Sequence, residues 1–259
     1  MLVCTKTFSK GRLKMGVKDI LVFSAHGADY CTRSGGTIAS YVKEGYKVHV
    51  IALSYGAHGE SAGYWKQNPQ GTLEHCCAIR KKESMNAAAT LGASIEFLGW
   101  DDYPLTIDET RQRLLTKRVL DIRPEIVFTH WLEDPTNPDH SNTGKAVVMA
   151  LNSSSQLGAL PDTPSHYYPN LYFFESTVPM SEFNQFSPDF YIDITDTHAQ
   201  KLDAIAKFEC QPHLSKYYIH FASHRGLQAS VWSKSDIQYA EGFKRFVPYI
   251  GKTLPLTQR

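Results

Sequence analysis

The run Asp19–Ser24 (DILVFS) is continuously apolar, with no polar alternation. A strand reads this way when it is covered on both faces, as in a parallel sheet flanked by helices. The chain beyond it keeps to that pattern. Gly35-Gly36 open a helical pattern to about Glu44, Gly45 punctuates it, and residues 47–53 (KVHVIAL) supply a second strand, completing a βαβ unit. A helix over about residues 73–91, a strand at 93–98, a helix at 109–121, a strand at 125–130 and a helix including 145–151 continue the alternation. Residues 171–175 and 190–194 are later strand candidates, and the chain from about Thr197 onward reads mainly as helices packed on the sheet. The expected fold is α/β: a single doubly wound, mostly parallel sheet flanked by helices, with ligands at the carboxyl ends of its strands. Residues 16–259 form this domain and residues 1–15 a disordered or loosely packed leader.

Composition narrows the function classes. With 42% hydrophobic and 20% charged residues in 259, the chain can bury a sizeable core. Lys plus Arg number 27 against 26 Asp plus Glu, so no global field favours a nucleic acid or a membrane surface. No apolar run approaches the roughly 20 residues of a membrane span. Five cysteines without a CxxC pair suit a reducing compartment, and the expected location is the cytoplasm.

Two loops should meet at the sheet's carboxyl edge. His26 and Asp29 follow the first strand three positions apart, and His140 lies in NPDH after the strand at 125–130. Two imidazoles and a carboxylate around an open position make a catalytic zinc site, whereas a closed structural site would use four protein ligands, usually thiolates. Singly, each residue has a plain structural account as a buried histidine or a turn aspartate. Their shared topological address lifts the trio above it.

AHGAD after the first strand, RKKESMNAAATLG in the long helix and THWLEDPTNPDH after a later strand resemble the LmbE-like (PIG-L) zinc deacetylase superfamily, whose motifs are AHPDDE and HPDH. The resemblance implies Zn2+ held by His26, Asp29 and His140. Two positions depart from the deacetylase pattern. The aspartate that serves those enzymes as general base is Ala28 here, and the leading His of HPDH is Asn137. Neither side chain can exchange a proton near neutrality. Repurposed chemistry on a retained metal site accounts for this combination.

One branch of the superfamily has it. The stretches SAHGADY, SYGAHGESAGYW, DDYP, DPTNPDH, QPHLSKYY and RGLQA are similar to the 4-oxalomesaconate hydratases of gallate and protocatechuate catabolism. One departure is Glu175-Ser176-Thr177, where that branch leads one to expect a His after LYFFE. The resemblance implies a zinc-dependent hydro-lyase acting on a small anionic carboxylate. Adding water to an enone needs a Lewis acid at the carbonyl and a base for the water. Glu60, in the Gly-rich GAHGES segment, is the candidate base, and the resemblance points to it too; His58 is the alternative. A tricarboxylate also needs cations, and guanidinium groups bind carboxylates in a fork. Arg33 and Arg225 flank the shared stretches and are the candidates, with Asn137 and His58 as further substrate contacts. His213, Tyr217, Tyr218 and His224 suit either core or a subunit interface, which leaves a homo-oligomer open. An N-acetyl sugar deacetylase and a metal-free module capturing an anionic metabolite are the competing readings.

Overall fold

The computed structural model describes residues 18–158, 160, 163–177 and 181–256. The expected leader lies outside them. Strands β1 (Asp19–Ser24), β2 (Lys47–Ser54), β3 (Ser94–Trp100), β4 (Ile126–His130), β5 (Asn170–Phe174), β6 (Phe190–Asp193) and β7 (Ala240–Arg245) form a 7-stranded sheet in the order β3-β2-β1-β4-β5-β7-β6. Strands β1 to β5 pair parallel, whereas β7 runs antiparallel to both neighbours. The helices are α1 (Asp29–Lys43), α2 (Ala62–Gln67), α3 (Leu73–Leu91), α4 (Glu109–Ile122), α5 (Pro138–Ser154), α6 (Ser181–Asn184), α7 (His198–Ile205) and α8 (Leu214–Ser233).

The apolar runs are unbroken because alternate side chains of each strand enter different cores. From β1, Ile20 and Val22 join α1, α3 and α7 on one face, while Leu21 and Phe23 join α4 and α5 on the other. Val48 and Val50 of β2 divide from Ile51 and Leu53 in the same way. Each such side chain, fully buried, contributes roughly 1.5–3 kcal/mol. Helix α3 begins where the Thr72 hydroxyl accepts the His75 N–H and ends at Gly92 in the left-handed region.

One expectation needs correction and another an addition. Gly35-Gly36 do not open α1, which begins six residues earlier at Asp29; they sit where the helix meets its neighbours, and a Cβ on Gly36 would lie 2.7 Å from Ile194. The chain after Thr197 is mainly helical, in α7 and α8, but it also holds a strand that the sequence reading lacks. This strand, β7 (AEGFKR), inserts between β5 and β6.

The order β3-β2-β1-β4 leaves a crevice at the carboxyl ends of β1 and β4, where successive connections leave the sheet in opposite directions. The segments after β1, β2, β3, β4 and β5 all deliver residues to this edge.

Candidate active site

The turn after β1 is built by Ser24. Its hydroxyl donates to the His26 carbonyl (2.6 Å) and accepts the Tyr30 N–H (3.1 Å). Asp29, in the first turn of α1, folds back to accept the His26 N–H at 2.8 Å. From the other side, α5 starts at Pro138 and presents His140 in its first turn. The helix can approach this closely because residue 144 is glycine: a Cβ there would lie 2.5 Å from the His130 carbonyl oxygen.

These elements converge three side chains whose ligand atoms, one from each, lie within 4.8 Å of one another. Nδ1 of His26 lies 3.2 Å from Nε2 of His140 and 3.3 Å from Oδ2 of Asp29, and Nε2 of His140 lies 3.4 Å from Oδ1 of Asp29. All three residues are buried. Bonds of roughly 2.0–2.1 Å to one tetrahedral ion place ligand atoms about 3.3 Å apart, and each pair of these side chains has a contact of that length, the Asp29 carboxylate meeting the two histidines through different oxygens. The outer partners fit as well. Nε2 of His26 donates to Asp139 (3.3 Å) and Nδ1 of His140 to Asp134 (2.9 Å), which turns the two remaining nitrogen lone pairs toward each other. Lone pairs at that distance need a proton or a cation between them.

The surrounding charges act in concert. Burial disfavours charge on His26, but hydrogen bonds to Asp139 and Asp29 hold it up at about 10. Burial pushes the Asp29 carboxyl up, and His140 and His130 more than offset it, leaving it well below the ordinary carboxylate range. His130 stays outside the ligand set. Its Nε2 accepts the Ala25 N–H at 3.0 Å, its ring stacks on His140 (4.1 Å between centroids, 17°), and burial drives its value down to about 3.

Glu60 faces this trio, with Oε1 3.8 Å from Nδ1 of His26. Asn137 donates to Oε1 (3.0 Å), Gln211 donates to Oε2 (2.7 Å), and the Tyr103 hydroxyl adds a longer bond to Oε1 (3.4 Å). Gln211 is itself oriented by the buried Arg80, which donates to its Oε1 at 2.8 Å. Asn137 occupies the N-cap of α5 yet makes no cap bond, its amide being engaged by Glu60. Gly56, at φ +72°, gives the loop its turn, and a Cβ there would lie 3.0 Å from that of Glu60.

The structure brings His26, Asp29, His140, Glu60 and Asn137 together. It treats the expected cations differently. Arg33 is buried beside the site, 3.7 Å from Asp29, and donates to the Glu175 carbonyl and the Thr177 hydroxyl. Arg225 does not present a free fork: its guanidinium is paired in a fork with the Glu175 carboxylate and also donates to Gln228. His58 is exposed, and its backbone N–H is held by Asp102. Thr177, where a His was expected, donates its hydroxyl to Asp134 at 3.0 Å, beside Nδ1 of His140.

Asp134, Tyr103, Gln211 and His130 escaped the reading of the sequence, as did the role of Asp139 behind His26. The available signal was their place in the shared stretches DDYP, THWLEDPTNPDH and QPHLSKYY.

The fold and site together define a doubly wound α/β protein with a His-Asp-His constellation of metal-ligand geometry at its switch point. Residues 21–151 match the PIG-L (GlcNAc-PI de-N-acetylase) family. A 4-oxalmesaconate hydratase of Pseudomonas putida is 36% identical over 241 residues, 92% of each chain. A 1D-myo-inositol 2-acetamido-2-deoxy-alpha-D-glucopyranoside deacetylase of Mycolicibacterium vanbaalenii is 29% identical, over 52% of this chain and 55% of that one. Among solved structures, that of GalB, the 4-carboxy-2-hydroxymuconate hydratase of Pseudomonas putida KT2440, superposes with a TM-score of 0.87 at 36% identity, covering 92% of this chain and all of that one. The chain belongs to the PIG-L family, and within it these similarities put it with the hydratases.

Proposed function

We propose that the chain is a zinc-dependent hydratase that adds water to the conjugated double bond of an unsaturated keto-tricarboxylate, 4-oxalomesaconate, in aromatic acid catabolism. The observation that carries this reading is the relocation of the proton acceptor. The deacetylase base position holds Ala28, while a different carboxylate, Glu60, stands 3.8 Å from a ligand histidine. Similarity to the Pseudomonas putida hydratase over 92% of its length supports the same substrate class.

His26, Asp29 and His140 would hold the ion, with Asp139 and Asp134 fixing the two imidazoles. A divalent metal there supplies Lewis acidity to a substrate carbonyl. The protein's own residues do the rest. Glu60 takes a proton from the attacking water at its carboxylate, and Asn137 and Gln211 fix that carboxylate by one donor on each oxygen. Arg33 supplies positive charge beside the site. Among the described residues no helix is long and apolar enough to cross a membrane. The cytoplasm is the location that goes with this reading.

The family's deacetylases supply the second reading, in which Glu60 takes over the missing base. Zinc-loaded protein is expected to abolish the ultraviolet absorbance of 4-oxalomesaconate and to release no acetate from N-acetylglucosamine derivatives. Acetate release without hydration would replace the first reading by the second.

A further inference from the structure

Hydration needs a proton delivered to carbon as well as one removed from water, and the role assigned to Glu60 above is the removal. The Asn137 amide cannot titrate near neutrality, and the Thr177 hydroxyl is committed to Asp134. Tyr103 is placed differently. Its ring stacks on His26 (5.8 Å between centroids, 24°) and lies against Gly59, where a Cβ would fall 2.1 Å from the ring. Its backbone N–H donates to Asp139 at 2.8 Å, which ties the phenol to the carboxylate that orients His26. Its φ of +51° is a left-handed conformation that a bulky residue adopts only under strain, of a kind concentrated at functional sites. For all this packing the residue remains 45% exposed.

The hydroxyl has one long contact, 3.4 Å to Oε1 of Glu60. That carboxylate does not depend on it, because Asn137 and Gln211 hold both oxygens by shorter bonds. The phenol can therefore leave Glu60 without releasing it.

We propose that Tyr103 is the second proton-carrying residue of the hydration, an assignment that rests on the hydratase reading above. With substrate bound, its hydroxyl protonates the carbon next to the one that takes the water. Atoms and electrons balance. One water O–H breaks as its proton passes to Glu60 and its oxygen bonds to carbon; the π pair and the Tyr103 O–H proton form the new C–H bond. Glu60 then returns its proton to the phenolate across their contact, and no external acid is consumed.

The test uses the zinc-loaded full chain with Tyr103→Phe and Tyr103→Ala, following 4-oxalomesaconate absorbance and metal content. Phe keeps the ring and its stacking and removes only the hydroxyl. Both variants are expected to lose roughly 10²–10⁴ in kcat, with KM and zinc content of the Phe variant within about threefold of the parent. A Phe variant with near-parental kcat overturns the inference, and if the Ala variant alone is slow, Tyr103 serves only as packing. An inactive parent protein would instead overturn the hydratase reading, and this inference with it.

Discussion

Nδ1 of His26 and Nε2 of His140 face each other at 3.2 Å, while each histidine commits its other ring nitrogen to a buried carboxylate. Without a metal, one of the two facing nitrogens has to carry a proton for them to stand this close. His26, held up at about 10 despite its burial, keeps that proton throughout the neutral range. A metal ion must displace it, so below that value protons compete with metal and affinity rises with pH. Zinc affinity is expected to increase about tenfold per pH unit between roughly pH 7 and 9, with about one proton released on binding. Calorimetry in buffers of different ionisation enthalpy measures that proton. A pH-independent affinity would contradict the arrangement.

Asp134 accepts from Nδ1 of His140 and from both the N–H and the hydroxyl of Thr177. Asp134→Asn keeps the shape but turns one acceptor into a donor. It is expected to weaken zinc binding roughly 10–100-fold, as loss of an outer partner to a metal-ligating histidine usually does. Competition with a chromophoric chelator reads the change; parental affinity would mean that His140 needs no such partner.

Gly144 is where α5 touches β4. Gly144→Ala would place a methyl 2.5 Å from the His130 carbonyl and 3.2 Å from that of Trp131, both backbone atoms that cannot swing aside. Overpacking of this kind costs about 1–3 kcal/mol. Denaturant unfolding should show that loss together with weaker zinc binding, since His140 rides on the displaced turn. Unchanged stability would show that the helix has room to shift.

Much of the architecture was legible because buried strands cannot hide their composition. β1, β2 and β4 are apolar on both faces, and the segments after β1 and β4 bring His26, Asp29 and His140 to one edge, as topology and the family resemblance together lead one to expect. β7 was missed because AEGFKR has only Ala240 and Phe243 as buried apolar side chains, with Glu241 buried instead against Lys201. The first turns of α1 and α5 were missed because AHGAD and NPDH look like loops; no side-chain cap marks either start, and Asn137 has turned from capping to Glu60. Arg225 illustrates a further limit. Its charge is visible in the sequence, but its pairing with Glu175 across 50 residues is a tertiary fact.

Ala28 is only 4% exposed and packs within the apolar cluster around α1. Ala28→Asp restores the residue type of the deacetylases but places a carboxylate in that packing, with Asn137 still opposite. No efficient amide hydrolysis is expected, and stability should fall by a few kcal/mol, of the order that burying an unpaired polar group costs. Acetate release from N-acetylglucosamine derivatives well above the parent's would show that one residue separates the two chemistries.

In the proposed hydratase, proton removal from water has moved to Glu60 while His26, Asp29 and His140 keep their places. Glu60→Gln preserves the size of the side chain and removes its capacity to take a proton. Turnover of 4-oxalomesaconate by the zinc-loaded variant is expected to fall roughly 10²–10⁴-fold with zinc content unchanged. A fully metallated Glu60→Gln protein with near-parental kcat would contradict the claim.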